Sequence, residues 1–113
     1  MRYRMNFFAT DETKKLKLKS GLELDVLTDI SKRRFNSLVS SIPSNPDGNV
    51  TVAQASEFSA ALFREFVVGW NIEREATVES YYDLKRTIAE QVDEALGAHF
   101  SEVAVNEKES RKS

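Results

Sequence analysis

Apolar side chains recur with a helical period over residues 51–70. At 100° per residue Val52, Ala55, Phe58, Leu62, Phe63, Phe66, Val67 and Trp70 share one side and cover roughly half the circumference. Gln54, Glu57, Arg64, Glu65 and Asn71 take the other side, with Ala61 and Val68 as apolar exceptions. A face that wide predicts a core-forming helix over 51–72. Thr51 and Gln54 have the spacing of a capping box at its start, and fraying is expected from Gly69 to Glu73.

Two further stretches carry the same period. Tyr81, Leu84, Ile88, Val92, Leu96 and Phe100, with Ala89 and Ala95 beside them, predict a helix over 77–103. Thr77 suits its N-cap, and Glu79 in the first turn complements the helix dipole. Leu27, Ile30, Phe35, Leu38, Val39 and Ile42 predict a shorter helix over 28–42, starting at Thr28 or Asp29 and ending before Pro43. Between them Ser44-Asn45-Pro46-Asp47-Gly48-Asn49 reads as a loop.

Residues 15–26 alternate instead, which predicts a β-hairpin. A three-residue Lys19-Ser20-Gly21 loop sets Leu18 against Leu22 and Leu16 against Leu24 on one face. On the other it sets Lys17 against Glu23 and Lys15 against Asp25. Such a loop needs its last residue in the left-handed region, where Gly21 is at ease. A lone hairpin is marginal in water, so the leucine face is expected to pack on the helices. Tyr3, Met5 and Phe7 alternate too and suit either a further strand or a loose arm. Residues 104–113 have no apolar period and are expected to form a flexible tail after a single domain of residues 1–103. The expected fold is therefore mainly α: about three helices, a small N-terminal hairpin and a disordered C-terminal tail.

Composition narrows the function classes. The chain has 113 residues, 41% of them hydrophobic and 30% charged, the balance of an ordinary globular domain. It has no cysteine, which removes disulfides and thiolate metal sites. No apolar run approaches the roughly 20 residues of a membrane span, and Met1–Phe8 lacks the apolar core of a signal peptide. A cytoplasmic protein without membrane attachment is the expectation. The net charge of −2 hides a gradient: residues 1–40 carry nine Lys/Arg against five Asp/Glu, and residues 41–103 carry four against eleven. A net acidic chain disfavours nucleic acid as main partner. Unlike ends can instead attract each other in neighbouring copies.

Catalytic chemistry finds little support. His99, the only histidine, forms with Glu102 at most two ligands of a metal site, and an ordinary helix histidine is the stronger reading. Glu90, Asp93 and Glu94 read as a solvated acidic face, and Lys32, Arg33 and Arg34 as a basic one. No phosphate loop, nucleophile elbow or zinc-protease motif is present, so neither an enzyme nor a cofactor or metal is expected. Tyr81 and Tyr82 straddle the edge of their stripe, so one ring is expected to be buried and the other available. Trp70 has the chemistry of an interface anchor, although its place on the apolar face favours burial.

The order of elements carries a family resemblance. The hairpin Lys17-Leu18-Lys19-Ser20-Gly21-Leu22-Glu23-Leu24 runs into Leu27-Thr28-Asp29 and a basic-apolar helix. A long helix closes on Phe66-Val67-Val68-Gly69-Trp70-Asn71, and a final helix opens as Thr77-Val78-Glu79-Ser80-Tyr81-Tyr82-Asp83-Leu84. Over residues 15–103 this resembles the tail assembly chaperones of long, non-contractile-tailed, lambda-like bacteriophages. Where relatives often carry proline before the last helix, this chain has Ala76-Thr77.

The resemblance implies a non-enzymatic protein of the host cytoplasm. It would coat and solubilise the tape measure protein and leave before the virion is complete. A longer product of programmed frameshifting would recruit tail tube subunits, and copies would self-associate in an open spiral. Phe66, Trp70, Tyr81 and Leu84 match as fold residues. From the residues themselves, Phe8, Tyr82 and Trp70 are the candidate partner-binding side chains. The candidate head-to-tail contacts set Lys15, Lys17, Lys32, Arg33 and Arg34 against Glu79, Asp83, Glu90, Asp93 and Glu94 of the next copy. The alternative, from a different class, is a small non-enzymatic phage adaptor or inhibitor that binds a host protein.

Overall fold

The hairpin loop fixes the first two strands. In the computed structural model, which describes residues 11–112 and only the backbone of 106–112, β1 (Thr13–Lys17) and β2 (Glu23–Leu27) are antiparallel. Leu16 lies opposite Leu24, Lys15 opposite Asp25 and Lys17 opposite Glu23. The Leu18 N–H donates to the Leu22 carbonyl at 2.9 Å, and Gly21 closes the three-residue loop at φ +97°, as the side-chain pattern predicts. Leu22, Leu24 and Val26 are buried, with Leu16 and Leu18 packed beside them.

The first helix starts later than expected. β2 persists through Leu27, and the Thr28 N–H donates to the Glu12 carbonyl at 3.0 Å, so cross-strand bonding claims residues the helical period also fits. Ser31 caps α1 (Lys32–Ser40) by accepting from the Arg34 N–H at 3.2 Å. The loop that follows is tied to the next helix by paired Asn45–Gln54 side-chain hydrogen bonds. Thr51 and Gln54 then form the expected capping box, at 3.1 and 3.0 Å, and open α2 (Val52–Phe66).

A helix to residue 72 is not what forms. The chain turns at Val67 into β3 (Val67–Trp70), which pairs antiparallel with β2 to give a sheet of order β1-β2-β3. Two β-branched residues and an aromatic favour the extended form once a partner edge exists. Gly69 sits opposite Asp25, and a Cβ there would lie 3.3 Å from the Asp25 Oδ2. Asn71 pins the strand end by accepting from the Glu23 N–H at 2.9 Å and donating to the Gly21 carbonyl at 3.1 Å.

The last helix is broken in two. Thr77 caps α3 (Val78–Tyr82) with Glu79 in its first turn, and the chain turns at Asp83–Leu84 before α4 (Arg86–Lys112). No Gly or Pro marks this break. Asp83 instead closes α3 as its C-cap and pairs with Arg74, while Leu84 packs against the core. α4 extends to Lys112 and so takes in residues 104–112, the segment expected as a tail. Among the described residues the result is a mainly helical domain of four helices with a three-stranded antiparallel sheet.

The core lies between the leucine face of the sheet and the stripes of α2 and α4. Phe63, Phe66, Leu24, Leu38, Leu96, Val26 and Val92 are its fully buried side chains. Phe63 stacks on Tyr81 and meets the edge of Trp70 at 5.2 and 5.5 Å between centroids, favourable aromatic geometries. Ala61, an apparent exception on the polar side of α2, is buried as well.

Candidate functional site

The apolar face of α2 is covered along only part of its length. Phe63 and Phe66 are at most 1% exposed, whereas Val52 at the first helical position is 88% exposed and Ala55 also faces solvent. α3 and the start of α4 stand across from these uncovered turns and leave an open groove of about 430 Å³. Val52 and Tyr82 flank it, small residues Ala55, Ser59 and Ala89 line it, and Asp93 belongs to the same lining. Tyr81 is buried and Tyr82 53% exposed, the division of labour predicted for the tyrosine pair.

Asp93 is not on a solvated face, contrary to expectation. It is half-buried and accepts the hydrogen bond of the Tyr81 hydroxyl, with Ser59 in the same lining. Burial, with the nearby Glu90 charge, holds its carboxyl above the ordinary carboxylate range despite the opposing hydrogen bond. Burial, with the Asp93 charge, also holds the Tyr81 hydroxyl well above its usual value. The groove thus contains a carboxylate that is only partly solvated, a position suited to receiving a cation.

The remaining candidates divide. Arg34 does not project to a neighbour: its Nε bonds the Glu65 carboxylate at 2.6 Å and its Nη2 the Glu65 carbonyl, tying α1 to α2. Lys15 pairs with Asp25 across the hairpin at 3.0 Å, which raises its pKa, and Lys17 lies exposed opposite Glu23. Lys32 and Arg33 are exposed at the start of α1. Asp83 pairs with Arg74 and Glu90 with Arg86, both at the surface, and Glu79 and Glu94 are exposed. Among the ion pairs described, none joins the basic set to the acidic set. Trp70 sits on β3 rather than on α2, half-buried, with its indole N–H donating to the Arg74 carbonyl. Phe8, like the alternation of Tyr3, Met5 and Phe7, lies outside the described residues.

His99 is buried, T-shaped against Phe66 at 4.9 Å, with Nε2 2.7 Å from the Leu27 carbonyl. It fastens α4 to the end of β2. Its place was legible, because His99 continues the stripe of Val92, Leu96 and Val103. Its Nδ1 has no hydrogen-bond partner, and Glu102 lies 3.8 Å away while bound to Lys14 at 3.0 Å. Lys14 holds the Glu102 carboxyl below the ordinary carboxylate range. Among the described residues no group of three or more His, Cys, Asp and Glu side chains is placed to hold a metal ion, and no helix is long and apolar enough to cross a membrane.

The Arg34–Glu65 tie and the Tyr81–Asp93 bond were not legible in the sequence. Both join residues far apart in the chain, and no local spacing announces them. Comparison of the chain with protein-family models, curated proteins and solved structures finds no match in any of the three.

Proposed function

We propose that this chain is a phage tail assembly chaperone, a small protein-binding domain that keeps a long tape measure protein soluble until the tail tube forms around it. The observation that carries the reading is the uncovered apolar groove at the start of α2, where Val52 and Tyr82 are presented together. The resemblance in element order over residues 15–103 supplies the client. Tail tube subunits would be recruited by a longer frameshifted product, and the protein would act in the host cytoplasm and be absent from the finished particle.

A holdase for an extended client works by many weak contacts repeated over many copies. Lys17, Lys32 and Arg33 on one side and Glu79 and Glu94 on the other remain free of the ion pairs described and suit head-to-tail association. Heterologous contacts whose rotation does not close build open spirals. The test is co-expression of the tape measure protein with and without this chain. A client that becomes soluble only with the chain, at many copies per client, supports the proposal. Equal solubility without it refutes the chaperone role, and one copy per target would instead favour an adaptor or inhibitor.

A further inference from the structure

The groove between α2, α3 and α4 needs an occupant whose chemistry matches its own. Its small residues admit apolar side chains close to the helix backbones, and Val52 and Tyr82 offer flanking apolar surface. Asp93 and Glu90 bring two carboxylates, against which Arg86 is the cation of the lining. A fitting ligand is therefore a short segment with large apolar side chains interleaved with cations.

This chain carries such a segment. Residues 2–8 read Arg-Tyr-Arg-Met-Asn-Phe-Phe, with two arginines, four large apolar side chains and no acid. The geometry argues against its filling the groove of its own copy. β1 runs along α4 from Lys14 at Glu102, 3.0 Å, toward Ser20 at Gln91, 3.2 Å. The chain preceding β1 therefore leaves at the Glu102 end. The groove lies toward the other end of that stretch, at Arg86–Asp93, and on the opposite side of α4 from Gln91 and Glu102 by helical projection. Reaching it would take about 25 Å along and around a helix about 11 Å wide, whereas residues 9 and 10, which join the segment to the described chain, bridge only about 10 Å when extended. A neighbouring copy imposes no such detour.

We infer that residues 2–8 of one copy dock in the groove of the next, with Arg2 or Arg4 at Asp93 and Glu90 and the aromatic side chains against Val52, Tyr82 and the small residues between them. The contact is heterologous, arm to groove, so it propagates copy by copy. It rests on the head-to-tail association proposed above and gives that association an apolar component besides exposed ion pairs, each worth only about 0–1 kcal/mol.

Replacing Phe7 by the photo-crosslinking residue p-benzoylphenylalanine in the full chain tests it. Unlabelled and heavy-nitrogen-labelled protein are mixed in equal amounts, irradiated and digested, and the linked peptides are identified by mass. The expected product joins the position of Phe7 to 52–59, Tyr82 or 86–93, with the two partners differently labelled. Links within one copy only, or to another surface, overturn the inference while leaving head-to-tail association standing if light scattering still shows growth with concentration. Scattering from monomers alone at every concentration overturns both. Arg2→Glu together with Arg4→Glu is expected to weaken association about tenfold or more, and unchanged association in that variant also overturns the inference.

Discussion

The two ends of α2 carry the same apolar stripe and meet opposite fates. At the C-terminal end Phe63 and Phe66 are buried against Trp70 of β3, Tyr81 of α3 and His99 of α4, and at the N-terminal end Val52 and Ala55 face a groove open to solvent. Periodicity shows which face of a helix is apolar. It does not show how far along that face the rest of the chain reaches to cover it. The covered end sustains the fold, and the uncovered end is the surface we propose for partner binding.

Stability measurements separate the two ends most sharply. Phe66→Ala is expected to cost about 3–5 kcal/mol in urea unfolding, because a large ring leaves a cavity at the centre of the core. Val52→Ser is expected to change stability by less than about 0.5 kcal/mol, as an exposed substitution does. Comparable losses at both sites would mean that the start of α2 belongs to the core.

How much of this contrast the sequence carried depends on whether the signal was local. Thr51 and Gln54 lie three residues apart, and Lys15–Asp25 and Leu16–Leu24 are matched across a short loop, so capping box and hairpin register were both legible. The fate of Val67–Trp70 was not. Val67 and Trp70 continue the helical period of Phe63 and Phe66, and their strand depends on the free edge of β2 more than 40 residues earlier. The late start of α1 has the same origin, in the Thr28–Glu12 bond. Of the candidate site, the exposure of Tyr82 was legible from its place at the stripe edge. The exposure of Val52 and the burial of Asp93 depend on where α3 and α4 come to rest.

Ion pairs sharpen the contrast at smaller scale. The Arg34–Glu65 tie, with Glu65 16% exposed, is expected to contribute about 1–2 kcal/mol, so Arg34→Ala should lower the urea midpoint clearly. The Arg86–Glu90 pair beside the groove is exposed on both partners, and Arg86→Ala is expected to cost less than about 0.5 kcal/mol. Equal effects would place the two pairs in the same environment and blur the division between core and groove.

The smallest effect concerns pH. The Asp93 carboxyl is held above its unfolded value by burial first and by the Glu90 charge, so folding favours its protonated form. Its contribution to stability is fully present below the ordinary carboxylate pKa and is lost as pH rises through the raised folded value. Asp93→Asn keeps an oxygen that can accept from Tyr81 and lacks this loss. Its stability relative to the parent should rise across the window just above the ordinary carboxylate range and then level off. A constant difference across that window would show that Asp93 is as well solvated as a surface acid.

In the proposed reading the uncovered end of α2 is a binding surface and not an unfinished core. Sedimentation velocity over a range of concentrations, comparing the full chain with its Val52→Ser/Tyr82→Ser variant, tests it most directly. The parent is expected to grow open-ended with concentration while the variant, folded and of nearly equal stability, remains small. A variant that associates as the parent does would contradict it.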